Sequence, residues 1–332
     1  MLRLPAFTYL QPTSLAEALR MKADAGTDGM YVAGGTDLYP NMKRRHQEPR
    51  VVISLMGISE LGKLEGWNVG TCVTLSTLSD VPTFQRSHSA VTRAARLVST
   101  PPLRNMGTVG GNLCLDTRCN YYNQSYEWRK AIDFCMKKDG AICWVAPSSP
   151  RCWAVSSSDV APVMVAIGAE YRLVGPQGER VVPAARFYHN DGINYLTKQP
   201  DEILVDVRLP APDGWDAVYH KLRRRGSFDF PVLGVAAWVK WGAGSGEQGA
   251  VVRDARVVLG GVASWPQEVP EAGAALKDAA LTDDTIERAA EAAYRPSKPM
   301  DNTDFDLSWR KQMTRVYVTR ALQELRDRRA TA

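Results

Sequence analysis

The sequence has no long apolar run and no dense basic run. No apolar stretch approaches the ~20 residues that a membrane-spanning helix needs. Pro5 and Pro12 interrupt the N-terminal segment, where a signal peptide would place its apolar core. The basic stretches at 222–225 and 325–332 are short, and the net charge of the 332 residues is only +5. These absences argue against a membrane span or a nucleic-acid surface, and they predict a cytoplasmic protein.

Several familiar motifs are also missing. Neither glycine-rich stretch has the Lys-Ser/Thr pair of a Walker A loop or the G-x-G-x-x-G pattern of a dinucleotide-binding turn. No two cysteines are separated by two residues, which argues against zinc ribbons, zinc fingers and thioredoxin-like motifs. The four histidines (His46, His88, His189 and His220) fall in no catalytic motif. The sequence therefore indicates no catalytic side chain.

Cysteine is concentrated in one segment. Five of the six cysteines lie between Cys114 and Cys152, directly after a glycine-rich stretch. In a reducing cytosol, such a cluster indicates metal ligands more often than disulfides. Four thiolates on a wrapped loop can hold a 4Fe–4S cluster, but zinc, or cysteines that are unligated or disulfide-bonded, also fit these spacings. Cys114 and Cys119 compete for one ligand position, whereas Cys72, in a predicted strand, is interpreted as a small buried residue.

Two glycine turns are candidate phosphate sites. They are "AGGTD" (33–37) and "GTVGGN" (107–112). Glycine lets the backbone take positive φ and lets N–H groups approach an anion closely. Thr36, Thr108 and Asn112 can add side-chain hydrogen bonds. Either turn alone could be an ordinary tight turn, but the pair favours a pyrophosphate-containing ligand held by two loops.

These stretches resemble a known family. "AGGTDL" (33–38) and "RNMGTVGGN" (104–112) are similar to the two FAD-pyrophosphate loops of the medium, flavin-binding subunits of molybdenum hydroxylases, such as xanthine dehydrogenase and carbon monoxide dehydrogenase. "SSSDVAPVMVAIGAE" (156–170) resembles the segment that those subunits place beside the flavin. "YHKLRRRGSFDFPVLGVAA" (219–237) and "LGGVASWP" (259–266) resemble their C-terminal domain. The resemblance spans nearly the whole chain and weakens after about residue 265.

The resemblance implies an α+β fold of two domains. Residues 1–178 would form an FAD-binding domain of the vanillyl-alcohol-oxidase (PCMH) type, with subdomains of about 1–54 and 55–178 and FAD between them. Residues 179–332 would form a C-terminal domain with a three-stranded sheet and helices. The periodic apolar residues of the last predicted helix are interpreted as core or subunit packing; they are Trp309, Met313, Val316, Leu322 and Leu325.

The same resemblance implies the FAD contacts. Asp159 would reach the ribityl chain or ring, although it could simply cap the following helix. Lys221 would lie near the isoalloxazine, although a solvated strand lysine is the simpler interpretation. The two loops would contribute the remaining contacts: Tyr31, Val32, Ala33, Gly34, Gly35, Thr36, Asp37, Leu38, Thr108, Val109, Gly110, Gly111 and Asn112.

The segment 114–158 departs from most of the family, which has a short connection there. About forty extra residues intervene. They resemble the insert of the 4-hydroxybenzoyl-CoA reductase β subunit, which begins with similar D-T-R-C and Y-N-Q-S stretches and holds an additional 4Fe–4S cluster. This resemblance implies that the cluster ligands are Cys119, Cys135, Cys143 and Cys152. Cys114 would belong to the glycine loop instead.

By resemblance, the chain would be an electron-transfer subunit. Electrons would pass from a ferredoxin to the 4Fe–4S cluster and FAD, then to 2Fe–2S clusters on a small subunit and a molybdenum cofactor on a large subunit. 4-Hydroxybenzoyl-CoA would there become benzoyl-CoA, within a heterohexamer. Three alternatives stay open: the FAD subunit of an oxidative molybdenum hydroxylase, a stand-alone flavoprotein oxidoreductase, and a zinc-stabilised binding module that is not an enzyme.

Overall fold

The N-terminal part of the chain forms a small parallel sheet with two helices. The computed structural model describes residues 3–242 and 251–331. The first elements are β1 (Thr8–Leu10), α1 (Leu15–Ala25), β2 (Gly29–Val32), α2 (Leu38–Lys43) and β3 (Val51–Ser54). The strand order is β1-β3-β2, with both pairings parallel. Helix α1 begins after Ser14, whose Oγ accepts a hydrogen bond from the Glu17 amide.

The second part combines a bundle of short helices with an antiparallel sheet. Its elements are β4 (Leu64–Glu65), β5 (Asn68–Gly70), α3 (Leu75–Asp80), α4 (Pro82–Ser87), α5 (Ser89–Leu97), α6 (Pro101–Arg104), α7 (Val109–Leu113), α8 (Tyr126–Ala131), α9 (Val160–Ile167), β6 (Glu170–Gly175), β7 (Gly178–Pro183) and β8 (Ile203–Arg208). The strand order is β4-β5-β8-β6-β7. All eight residues of α9 are buried, so this helix lies in the core of the molecule.

The domain boundary expected at 178/179 falls within the β6–β7 hairpin. Gly175 and Gly178 are paired across its turn, and β8 pairs with both β5 and β6. The sheet therefore continues to Arg208. Because a domain boundary lies where few contacts cross, we propose that the two domains meet in the connection at 209–214.

The C-terminal part is a layer of helices on an antiparallel sheet. Its elements are β9 (Trp215–Leu222), β10 (Leu233–Trp241), β11 (Val251–Gly260), β12 (Gln267–Glu268), α10 (Pro270–Leu276), β13 (Ala279–Ala280), α11 (Asp283–Tyr294) and α12 (Leu307–Ala330). The three long strands are the expected three-stranded sheet, and the two-residue strands β12 and β13 extend it by pairing with β11.

Alternation along β10 explains how this sheet is buried on both faces. Val235 and Ala237 pack into the core shared with α11 and α12, whereas Ala236 and Trp238 pack into the core that contains α9. Leu322 and Leu325 of α12 are fully buried, as predicted, whereas Trp309 at its start is 40% exposed. Within the described ranges, no helix is both long enough and apolar enough to cross a membrane.

The cysteine-rich insert is mostly irregular and contains only the short helix α8. Arg118 and Val155 exchange backbone hydrogen bonds of 2.8 and 2.7 Å, which close the insert at its base. Above this bridge the insert has its own small core, made by Cys119, Tyr122, Cys135, Cys152 and Ala154. The insert is therefore a compact extension of the flavin domain.

Candidate flavin site and thiol cluster

A large cavity lies where the three parts of the described chain meet. Its volume is about 670 Å³, which is within the size range of cofactor sites. Both glycine turns line it, and so do side chains from the insert and from the C-terminal domain. The two loops that were predicted from sequence to hold one ligand are thus brought together.

The first loop follows β2 and leads into α2. All eight residues expected here, Tyr31 to Leu38, line the cavity. A Cβ on Gly34 would lie 1.6 Å from the Met106 carbonyl oxygen, so the two loops touch at a point where only glycine fits. Gly35 has φ +70° and packs against the Tyr39 ring. A side chain at Gly34 would clash with the second loop, and the backbone at Gly35 has a conformation that favours glycine. Both glycines therefore fix the path of the first loop beside the cavity.

The second loop lines the cavity only in part. Thr108, Gly111 and Asn112 face it, and Thr108 Oγ1 accepts a hydrogen bond from Gly111 N at 3.1 Å. Val109 and Gly110 do not line it. Val109 is fully buried, and a Cβ on Gly110 would lie 2.5 Å from Thr71 Cβ. These two residues fix the loop from behind and are placed away from the ligand space.

Asn112 connects the second loop to α9. Its Oδ1 accepts hydrogen bonds from Ser158 Oγ at 2.8 Å and from Val160 N at 3.2 Å. Ser158 Oγ in turn accepts from Ala161 N at 3.0 Å. The start of α9 is therefore capped by Ser158 and Asn112, not by Asp159.

Asp159 and Lys221 form a buried ion pair at the edge of the cavity. Lys221 Nζ donates to Asp159 Oδ2 at 2.8 Å and to the Leu97 carbonyl at 2.9 Å, and Tyr219 OH donates to Asp159 Oδ1 at 2.9 Å. The side chain of Lys221 is 1% exposed and that of Asp159 is 3% exposed, so the interpretation of Lys221 as a solvated strand lysine is wrong. The interpretation of Asp159 as a helix cap is also wrong, because its side chain makes no capping hydrogen bond to α9. Asp159 lines the cavity, whereas Lys221 stands behind it.

Burial changes the pKa of both members of this pair. It raises the pKa of Asp159 and lowers the pKa of Lys221, and in each case the charge of the other residue opposes the shift. A carboxylate and an ammonium that are removed from water keep their charges only by staying together. The pair therefore positions Asp159 rigidly in the cavity wall.

Several cavity residues were not predicted from sequence. Arg118 of the insert pairs with Asp37, donates to Asn41 Oδ1 at 3.2 Å and stacks over the Phe230 ring at 4.8 Å. Phe228, which is 57% exposed and has φ +71°, donates its N–H to the Ser99 carbonyl at the cavity edge. The stretch "RRRGSFDFP" had signalled the C-terminal domain only. No local pattern shows that it folds back over the glycine loops.

The four cysteines expected as ligands line one small buried void. Cys119, Cys135, Cys143 and Cys152 face it, and each is no more than 7% exposed. The void measures about 10 Å³, close to the least that holds one water molecule. A cluster would therefore require the side chains to move outward. Cys114 lies elsewhere, in the wall of the cavity lined by the two glycine loops, which we call the flavin cavity. Cys72 is buried in the core between the first two parts.

The donor set of this void fits an iron–sulfur cluster better than a single metal ion. Among the described residues, no three Cys, His, Asp or Glu side chains stand close enough to hold one metal ion. A zinc site needs all its thiolates within about 2.3 Å of one atom. A 4Fe–4S cluster binds each thiolate to a different iron atom, so its ligands stand farther apart. The four thiols supply the number of ligands that a cluster needs, and the void between them would have to widen to admit it.

Burial also controls the chemistry of the thiols. It raises the pKa of Cys119 to about 12 and the pKa of Cys152 to about 11. Metal ligation requires thiolates, so metal has to displace these protons as it binds. Without metal, Cys119 and Cys152 behave as protonated, weakly reactive thiols.

Comparison with known proteins identifies the family. Residues 5–212 match the model of the FAD-binding domain in molybdopterin dehydrogenase, and residues 217–325 match that of the CO dehydrogenase flavoprotein C-terminal domain. The chain belongs to the molybdopterin dehydrogenase flavoproteins. FAD binding by this chain is therefore supported, and the expected fold is confirmed. The two matches leave residues 213–216 between them, which overlap the connection at 209–214 that we propose as the boundary.

Individual relatives span nearly the whole chain. The aldehyde oxidoreductase FAD-binding subunit PaoB of Escherichia coli is 32% identical over 292 residues, which cover 83% of this chain and 87% of the relative. The carbon monoxide dehydrogenase medium chain of Hydrogenophaga pseudoflava is 27% identical and covers 96% of each chain. A solved structure of carbon monoxide dehydrogenase from that organism superposes with a TM-score of 0.77, at 26% identity and 97% coverage of both chains.

Proposed function

We propose that this chain is the electron-transfer subunit of a molybdenum-containing complex and that it carries a 4Fe–4S cluster in addition to FAD. The observation that carries this proposal is the arrangement of Cys119, Cys135, Cys143 and Cys152 around one buried void, in an insert that also supplies Asp116 and Arg118 to the flavin cavity. Bound there, the two cofactors would supply neighbouring centres that take up and release electrons.

The chain's own residues would hold and orient these groups. The loops at Tyr31–Leu38 and Thr108–Asn112 would bind the FAD pyrophosphate, with Thr36, Thr108 and Asn112 placed to donate hydrogen bonds. Asp159, held by Lys221 and Tyr219, would contact the ribityl chain or ring. The four cysteines would hold the cluster, and the insert would keep water from it because its thiols are buried.

The organic substrate would bind on another chain. This is supported by the carbon monoxide dehydrogenase relatives, which are named medium chains of their enzymes. We therefore propose a large subunit with the molybdenum cofactor and a small subunit with 2Fe–2S clusters. A heterohexamer and a ferredoxin-type redox partner are part of this proposal.

Oxidation of the organic substrate, with electrons flowing from the molybdenum cofactor toward FAD, is the better-supported direction. The relatives named above are an aldehyde oxidoreductase and a carbon monoxide dehydrogenase, and another is a nicotine 6-hydroxylase medium subunit. Reductive dehydroxylation of 4-hydroxybenzoyl-CoA is the second candidate. Its support is the insert, whose D-T-R-C and Y-N-Q-S stretches resemble those of that reductase.

An affinity-purification experiment tests this proposal. The full-length chain, tagged and expressed with its genomic neighbours, is expected to purify with two further subunits and with molybdenum. The complex is then assayed in both directions, with an aromatic aldehyde plus an electron acceptor and with 4-hydroxybenzoyl-CoA plus a low-potential reductant. Aldehyde oxidation alone supports the oxidative form, and benzoyl-CoA formation supports the reductive one. A flavoprotein that purifies alone and turns over its own substrate would contradict both.

A further inference from the structure

The void between the four thiols has one charged side chain in its wall. Apart from the cysteines, the described residues that line it are otherwise aromatic or apolar: Tyr121, Tyr122, Met136, Trp144, Val145 and Ala154. The exception is Lys137, whose side chain is only 7% exposed. A buried ammonium group in an apolar wall costs free energy unless its surroundings compensate it.

Three acceptors hold the Lys137 ammonium in place. Its Nζ donates to Asp116 Oδ1 at 2.8 Å, to Thr117 Oγ1 at 2.8 Å and to the Gly192 carbonyl at 2.6 Å. Gly192 packs directly on a candidate ligand, because a Cβ placed on it would lie 2.7 Å from Cys152 Sγ. All three ammonium protons are therefore engaged, and the charge is fixed beside the thiols.

The partner of Lys137 belongs to the other cavity. Asp116 is 6% exposed and lines the flavin cavity. Its second oxygen, Oδ2, accepts a hydrogen bond from Tyr122 OH at 3.1 Å, and Tyr122 lines the thiol void. The Asp116–Lys137 pair thus spans the wall between the two cavities, with the negative end toward FAD and the positive end toward the thiols.

A charge in this position acts on the reduction of a cluster. Reduction adds one electron to a centre that four thiolates already make negative, and cluster potentials depend on net charge, hydrogen bonds and exposure. A fixed cation in a dry wall favours the reduced form, and its effect is little screened by salt. The nearby carboxylate of Asp116 opposes the cation and limits its effect.

We propose that Lys137 raises the reduction potential of the 4Fe–4S cluster, that Asp116 moderates it, and that the pair sets the potential difference between the cluster and FAD. This inference rests on the proposed function, since it requires the cluster. Lys137 and Asp116 act on the cluster only through their charges and exchange no electron themselves. In the test reaction, each cluster takes one electron from dithionite through a mediator.

A redox titration of the full-length chain tests the inference. The protein is purified anaerobically, titrated with dithionite and mediators, and read by electron paramagnetic resonance of the reduced cluster. At the midpoint of the unchanged protein, Lys137→Met is expected to lower the ratio of reduced to oxidised cluster at least tenfold, which is about 59 mV for a one-electron couple. Asp116→Asn is expected to raise that ratio, and Lys137→Arg to change it least.

Lys138 provides a matched control, because it is the next residue and its side chain is 32% exposed. Lys138→Met is expected to leave the ratio unchanged. Opposite shifts in Lys137→Met and Asp116→Asn support the inference, because general damage would not reverse sign. About four iron atoms per chain with no shift in either variant overturns the inference but leaves the proposed function. An unchanged protein without iron overturns both. If Lys137→Met loses its iron, the Asp116→Asn variant decides the test. A rise in its cluster reduction potential supports the inference, and an unchanged potential overturns it.

Discussion

Asp37 in the first glycine loop is paired with Arg118, the residue directly before Cys119. The Arg118 side chain is 8% exposed, and burial lowers its pKa to about 10, which still leaves it charged at neutral pH. One end of the cysteine insert is thus fixed to the first glycine loop, which lines the cavity. The insert therefore helps to fix the position of the first glycine loop.

Removing Arg118 should weaken FAD binding. Arg118→Met leaves the Asp37 carboxylate unpaired in the cavity wall, where it repels the FAD pyrophosphate. Truncating one partner of a buried charge pair costs about 2–5 kcal/mol, so we expect the Kd for FAD to rise at least tenfold, measured by flavin fluorescence. Arg45→Met, at a half-buried arginine outside the cavity, should leave the Kd unchanged. Equal Kd values for the two variants would refute this role.

Breaking the Asp159–Lys221 pair should destabilise the protein. Lys221→Met leaves a buried carboxylate without its cation, which typically costs about 3–5 kcal/mol. We expect a loss of that order in the free energy of unfolding, measured by urea denaturation, and a lower FAD content. Lys240→Met is the control, since that lysine on β10 is 46% exposed and should change stability by less than about 0.5 kcal/mol. A Lys221→Met protein as stable as the control would show that the pair contributes little.

Gly34 tests the contact between the two loops. Gly34→Ala places a Cβ 1.6 Å from the Met106 carbonyl oxygen, so one loop has to move away from the other. We expect the FAD content per chain to fall below about a tenth of its normal value, while circular dichroism stays unchanged. Gly62→Ala is the control, because nothing lies within 4 Å of its Cβ position. Normal FAD content in Gly34→Ala would contradict the proposed role of this contact.

His46 should make stability depend on pH. Burial, followed by the charge of Arg129, lowers its pKa from 6.5 to about 4, and its ring stacks on Tyr122. Between pH 6.5 and 4 the unfolded chain therefore binds a proton that the folded chain does not, so stability falls as the pH falls through this window. We expect His46→Phe to remove about 2 kcal/mol of the loss between pH 7 and 4.5.

Urea denaturation at several pH values measures this effect. His189→Phe, at an exposed histidine, is the control. The interpretation fails if His46→Phe and the unchanged protein lose the same free energy of unfolding between pH 7 and 4.5.

Local patterns predicted the two glycine turns, which the structure brings together at one cavity. Gly34 and Gly35 have local physical causes, a close approach and a positive φ, so a tight turn could be predicted from them. The four cysteines could be grouped by their position in one irregular segment, and the structure brings them to one void.

Contacts between segments that are distant in the chain could not be predicted from local sequence patterns. Lys221 reaches Asp159 across 62 positions, and Arg118 reaches Asp37 across 81. A lysine in a strand looks solvated until the fold buries it beneath α5 and α9. The boundary that we propose at 209–214, unlike the one expected at 178/179, depends on such a distant contact, because β8 pairs with β5 about 130 residues earlier.

The central claim is that this flavoprotein carries its own cluster, and metal analysis tests it most directly. The full-length chain is purified under strict exclusion of oxygen, and iron, acid-labile sulfide and FAD are quantified. We expect about four iron, four sulfide and one FAD per chain. Cys119→Ser should lose the iron and keep the FAD, and Cys72→Ser, at a buried thiol outside the void, should keep both. FAD without iron in the unchanged protein, or zinc in place of iron, would contradict the account.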